Sequence, residues 1–173
     1  MYLRLLFHFL ILSWLLIVQL TILPNLPWGL HYLNLILVIL IFTLLLFDFN
    51  WSVGWWLASA WLLSLFGFHG FVGPLIVATI NFSLIYWLLI SFFTNRSLYA
   101  LLFLVSLALL INDLGLYLFD YLRNLSQDWP IIKMQGGWWL LEAKKLGANL
   151  ILTIILFYIF NFFSRRFRPI LNK

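Results

Sequence analysis

No cysteine occurs in the 173 residues. Disulfides and thiolate chemistry are therefore excluded, and cysteine usage says nothing about the redox compartment. Charge is almost as scarce. Asp, Glu, Lys and Arg together make up 9% of the chain, while 65% of it is hydrophobic; a soluble domain carries about a quarter charged residues. That balance excludes an ordinary soluble globular domain and leaves an integral membrane protein built as one helical bundle. The three histidines, His8, His31 and His69, are scattered, so no metal-ligand spacing is present. His-Glu-x-x-His, Gly-x-Ser-x-Gly and a paired-Asp motif are all missing, which argues against an intramembrane enzyme. The glycine-rich stretch from Gly67 to Pro74 lacks the Lys-Ser/Thr ending and the preceding strand of a phosphate loop. A non-enzymatic protein without cofactor or metal is expected. The net charge of +5 is no sign of nucleic-acid binding, because the basic residues stand at the ends of apolar runs and in loops, where they set membrane orientation.

What the chain does have is a series of long apolar runs. Breaks in hydropathy divide one transmembrane domain, residues 1–173, into about six spans, at 5–23, 33–47, 51–66, 74–93, 98–122 and 146–163. The outer loop is 123–145. Arg4, Arg96, Arg165, Arg166, Arg168 and Lys173 then fall on one side, so both termini are expected to be cytoplasmic. Spans two and three are short for a full crossing; they read as a tight hairpin through a thin region, or one of them as re-entrant. Gly54 and Ala58 form a small-xxx-small pair suited to close helix approach. Trp55-Trp56 reads as an interface anchor. In the first span, His8 and Gln19 read as polar packing groups.

The fifth span stands out. Leu98 to Leu122 would rise about 37 Å as a helix, against a hydrocarbon core of about 30 Å. It holds Asp113 well inside and Asp120 near one end. An acid at such depth costs roughly 2.5 to 3.5 kcal/mol to insert, so it should face protein or water. Ser106, Asp113, Tyr117, Asp120 and Asn124 step by seven, four, three and four, which is one helical face. Two readings stay open: a polar pathway or partner contact, and a polar stripe that fixes helix packing with Asp113 protonated or hydrogen-bonded. No Lys or Arg lies within a predicted span to pair with Asp113.

The outer loop concentrates Trp129, Trp138 and Trp139. Its second half reads as a short interfacial helix, with Trp and Leu on one side and Glu142, Lys144 and Lys145 on the other. The tryptophans are candidate contacts for a protein partner, or else an interfacial belt. The last span carries Asn149, Thr153 and Ser164 on one side and ends in Arg165-Arg166-Phe167-Arg168.

Taken in order, these features resemble the rod-shape-determining membrane protein family MreD. Gln19-Leu-Thr-Ile-Leu-Pro24 resembles the end of its first span and Leu33-Asn34-Leu35-Ile36-Leu37 the start of its second. The run Gly54 to Gly73 resembles its glycine-rich third span and the approach to the fourth, and Phe92 to Ser97 its short turn between spans four and five. The chain departs from the family where Ser64-Leu65 replaces an Asp-Leu and where Leu33 replaces a proline. The resemblance implies a scaffold or assembly subunit of the bacterial cell-elongation machinery in the inner membrane. It also implies an MreC-like bitopic partner that links to peptidoglycan synthesis and the MreB filament. The family is distantly similar to substrate-binding subunits of energy-coupling-factor vitamin transporters, which supplies the alternative. Against that alternative, no alanine precedes Ala58 to make the Ala-xxx-Ala docking pattern of those subunits.

Overall fold

The structure, a computed structural model, describes residues 2–27, 29–46, 49–66, 72–93, 97–126 and 137–165. Among them there is no strand, and six α-helices follow one another: α1 (Tyr2–Ile17), α2 (Leu35–Leu46), α3 (Phe49–Phe66), α4 (Val72–Ser91), α5 (Leu98–Ser126) and α6 (Trp138–Arg165). A π turn, Val18–Ile22, and a 3₁₀ turn, Leu23–Asn25, continue α1, and a second 3₁₀ turn, Leu30–Tyr32, leads towards α2. Four stretches are long and apolar enough to cross a membrane: Leu6–Asn25, Val72–Ser91, Leu98–Leu125 and Trp138–Phe162. The turn between the 3₁₀ segments needs a left-handed residue, and Gly29 supplies it at φ 78°, a conformation that costs a residue with a Cβ about 1 kcal/mol or more.

Pairwise contacts set the helix directions. Phe49 stacks near Tyr86 and Trp56 near Phe82, so α3 and α4 run antiparallel. The Cα of Gly73 approaches Phe119, and that of Gly115 approaches Val77, which makes α4 and α5 antiparallel too. His8, early in α1, lies against Trp51 and Trp55 at the start of α3, near the end of α2. Gln19, beyond α1, reaches Leu33 and Leu35 at the start of α2, so α1 runs with α3. Asn34 meets Asn149 and Phe42 meets Phe160, so α2 runs with α6. Successive helices thus alternate in direction. The start of α1 and the end of α6 lie at the same end of the bundle.

The centre of the bundle is α2, whereas the sequence drew attention to the fifth span. Ile36, Leu37, Val38, Leu40, Ile41, Phe42, Leu44 and Leu45 are all buried, Val38 and Ile41 completely. Twelve residues rise only about 18 Å, short of the 30 Å of a hydrocarbon core. Around α2 stand α1, α3, α5 and α6; α4 closes the outside of α3 and α5. On α5, Leu101, Leu104, Val105, Ala108 and Leu109 are buried to 3% or less and share one hydrophobic core with the buried apolar residues of α2. The outward faces are apolar, as lipid contact requires: Phe7, Leu10, Trp14 and Ile17 on α1, Ile76, Ile80 and Trp87 on α4, Ile151, Ile155 and Ile159 on α6.

Several boundaries and roles differ from the sequence reading. The short interfacial helix and the last span are one continuous helix, α6, of 28 residues; nothing between Trp138 and Leu146 breaks helical hydrogen bonding, and the charges at Glu142 and Lys145 find a partner on α5. Trp55 and Trp56 are buried, not placed at an interface, because they fill the space between α3 and its neighbours α1 and α4. Gly54 is exposed with open space around its Cα, so the close helix approach expected there occurs instead at Gly73 and Gly115. Of the glycine-rich loop, residues 67–71 lie outside the described residues, as do Arg96 and the basic C-terminal end from 166.

Candidate functional site

One end of the bundle gathers several polar side chains of the described helices. It holds the end of α1, the beginnings of α2, α4 and α6, and the later half of α5. Three groups meet here.

The first group caps α2. The first N–H groups of a helix have no acceptor within the helix, so where they are enclosed in an apolar bundle other parts of the protein must supply acceptors. Asn34 Oδ1 accepts from Leu37 N at 3.1 Å, a local N-cap. Gln19, held in the π turn that continues α1, accepts from Leu35 N at 2.7 Å through Oε1 and donates to Leu33 O at 2.9 Å through Nε2. Asn149 on α6, fully buried, accepts from Asn34 N at 2.8 Å and donates to Tyr32 O at 3.0 Å. Both functional ends of Gln19 and of Asn149 are thus used on the backbone entering α2. The π turn matters because its wider turn changes which residue faces inward, and such turns often mark working positions.

The second group is ionic. Lys145 Nζ on α6 lies 3.1 Å from Asp113 Oδ2 on α5 and 3.1 Å from Glu142 Oε1 one turn earlier on α6. The side chain of Glu142 is 4% exposed, that of Asp113 19% and that of Lys145 30%. Asn112 Nδ2 donates to the other oxygen of Asp113 at 3.1 Å. The sequence reading left Asp113 without a cationic partner and set Glu142 and Lys145 in a loop. The correction follows from α6 beginning at Trp138, which carries Lys145 alongside Asp113. Two carboxylates share one ammonium, so the cluster carries one formal negative charge in excess when all three groups are ionised.

The third feature is a cavity of about 290 Å³. Its polar lining is Gln19, Asn34, Ser59, Asn81 and Asn112; Trp56 supplies an aromatic wall, and Leu20, Leu63, Ala78 and Leu116 are among the apolar residues. Asn81 on α4 is 1% exposed. Its Nδ2 donates to Ala108 O of α5 at 2.9 Å, and its Oδ1 is buried with no hydrogen-bond partner among the described residues. The cavity and the ionic cluster adjoin through Asn112, and the cavity and the α2 cap through Gln19 and Asn34.

Of the stripe predicted on the fifth span, Asp113 enters the ionic cluster. Ser106 bonds back to Leu102 O within its own helix at 2.8 Å. Tyr117 and Asp120 are half-buried, Asn124 is buried, and Leu114, Leu118 and Leu122 are exposed. Trp138 is half-buried and Trp139 is 68% exposed, their rings 4.6 Å apart edge to face; Trp129 lies outside the described residues. Sequence reasoning missed Asn81 and Asn112 altogether and met Asn34 only as part of a resemblance. An uncharged carboxamide inside an apolar run was the available signal, since a polar group at such a position must find a partner.

No family model, curated protein or solved structure matches this chain.

Proposed function

We propose that this chain is a non-enzymatic scaffold or assembly subunit of the bacterial cell-elongation machinery in the inner membrane, with both termini cytoplasmic. Its partner in this reading is an MreC-like bitopic protein that connects it to peptidoglycan synthesis. One observation carries the reading. The polar groups of the intramembrane helices are largely used by other segments of the same chain: Gln19 and Asn149 on the backbone entering α2, Lys145 on Asp113 and Glu142, Asn81 on Ala108. Such bonds hold six helices in one arrangement, which suits a rigid platform for other membrane proteins better than a machine that must rearrange. The resemblance to MreD in the order of spans and turns supports the same reading. The docking surface proposed is the end that carries Trp138 and Trp139, together with Trp129.

The test is co-purification from native membranes of wild type and of Trp138→Ala/Trp139→Ala, followed by mass spectrometry, with equal melting temperatures as the control for folding. An MreC-like bitopic protein recovered with wild type and lost with the variant supports the scaffold. Recovery of an ATPase pair, unaffected by the substitutions, overturns it in favour of a substrate-binding subunit of a small-molecule, vitamin-type transporter. The cavity beside α2 is the observation that favours this second reading.

A further inference from the structure

We infer that the contact between α5 and α6 is a proton-sensitive latch: Asp113 and Glu142 hold one proton between them, beside Lys145, and α6 is held less firmly when that proton leaves. The inference goes beyond the scaffold reading and stands whether or not a protein partner docks elsewhere.

Lys145 Nζ lies 3.1 Å from Asp113 Oδ2 and 3.1 Å from Glu142 Oε1, so these two oxygens stand no further apart than twice that distance. The two carboxyl groups also come within hydrogen-bond range of each other. Two ionised carboxylates only accept; with one proton, one of them donates to the other. Like charges this close favour keeping a proton on the pair, and it belongs to the pair rather than to either residue. One ammonium offsets one carboxylate. The side chain of Glu142 is 4% exposed, so water does little for the second, and a buried charge without a partner of its own is costly.

Among the described residues, the surrounding elements do not redress this balance. The charges that bear on Glu142 are those of Lys145 and Asp113, and those that bear on Lys145 are Asp113 and Glu142. Of the elements packed on α5 and α6, α2 has no ionisable side chain, and α4 has only Tyr86, at the far end of the bundle. The 3₁₀ turn Leu30–Tyr32 brings His31, which is exposed, and Tyr32. Elsewhere on α5 stand Tyr99, Tyr117, Asp120, Tyr121 and Arg123, the arginine ten residues from Asp113, about 15 Å along the helix. Elsewhere on α6 stand Lys144, which is exposed, Tyr158 and Arg165. Water reaches the cluster through Lys145 and Asp113, whose side chains are 30% and 19% exposed, so the proton can exchange. Lys145 also joins the cluster to the cap of α2. Its carbonyl oxygen accepts from Asn149 Nδ2 at 2.8 Å, and Asn149 holds Tyr32 O and Asn34 N. The direction of the pH effect follows. Free Asp and Glu lose their protons at about pH 4, so above that the unfolded chain has released both while the folded pair keeps one. Stability then falls as pH rises, until the pair has let its proton go. With either acid made an amide, one carboxylate faces one ammonium and this slope disappears.

The test uses the full chain in detergent at constant ionic strength. Melting temperature is followed by tryptophan fluorescence from about pH 5.5 to about pH 8.5 in wild type, Glu142→Gln and Asp113→Asn, and infrared difference spectra record protonated carboxyl groups over the same range. The wild-type melting temperature is expected to fall by about 3 °C or more beyond the fall in the variants. A protonated-carboxyl component at neutral pH, removed by each substitution, is the expected spectrum. Where Glu142→Gln does not fold, Asp113→Asn carries the comparison, and the wild-type spectrum needs no variant. Parallel pH profiles in wild type and a folded variant would overturn the inference, since the histidines and chain ends titrate in both. So would a wild-type spectrum without a protonated carboxyl at neutral pH, or a component that the substitutions leave unchanged.

Discussion

Replacing Lys145 by methionine isolates the electrostatics of the α5–α6 contact. The substitution keeps most of the aliphatic stem and removes the ammonium that Asp113 and Glu142 share at 3.1 Å each. Two acids then face each other with no cation between them, one of them 4% exposed. Removing one partner from a fully buried ion pair costs about 3 to 5 kcal/mol. Lys145 is 30% exposed, so water screens part of that, and roughly 2 kcal/mol is the expected loss. For a chain of this length that is a fall of roughly 4 to 8 °C in melting temperature, read by tryptophan fluorescence in detergent. Asp113→Asn is expected to be mild, because Lys145 and Glu142 then balance one to one and the amide still accepts a hydrogen bond. Asp113→Leu is expected to cost more, about 1 to 3 kcal/mol, because it leaves Lys145 Nζ and Asn112 Nδ2 each short of a partner. The decisive comparison is Lys145→Met with the triple variant Lys145→Met/Asp113→Asn/Glu142→Gln, in which no charge is left. If uncompensated acids cause the loss, the triple variant recovers most of it. A triple variant no more stable than Lys145→Met alone would show that the lysine acts through packing and would refute the electrostatic account.

Three further outcomes are expected. Gly115→Ala places a Cβ 2.9 Å from Cγ1 of Val77, a buried β-branched side chain with little room to turn; a loss of about 1 to 3 kcal/mol is expected, and Val77→Ala in the same chain should restore the melting temperature. Asn149→Leu removes the bonds to Asn34 N and Tyr32 O in a fully buried place, and should cost about 2 kcal/mol or more; combined with Gln19→Leu it should cost less than the two single losses added, since both side chains serve the same entry to α2. In this chain without native cysteine, single cysteines at Ser126 and Asn172 should label from outside and only after permeabilisation, respectively; reversed labelling would invert the proposed orientation, and equal labelling of both would rule out an even number of crossings.

The polar end of the bundle shows how far the chain could be read. The helical facing of Asp113, Tyr117, Asp120 and Asn124 was visible as spacing along α5, because a helix repeats every 3.6 residues whatever surrounds it. The same rule put Asn149 and Thr153 on one side of α6, and both are completely buried. Partners were not visible. Lys145 is 32 residues from Asp113, and its pairing depends on α6 beginning at Trp138 and lying antiparallel to α5. Gln19 was legible as a packing residue. That it would cap a helix starting sixteen residues later depended on the π turn and on the Gly29 bend, which hydropathy does not register.

Composition alone determined the class of protein: with so little charge and so much apolar surface, folding in water is unfavourable and helices that satisfy their own backbone are the stable answer. Run length and terminal breaks determined that there are six helices and placed most of them. Tertiary structure alone decided that the shortest helix, α2, would be the centre. Periodicity cannot rank segments that are apolar on every side, since such a helix has no preferred face. The packing is instead fixed in part by a few polar side chains, Gln19, Asn149 and Lys145, whose partners at Leu35, Asn34 and Asp113 lie at distances in sequence that no local pattern records.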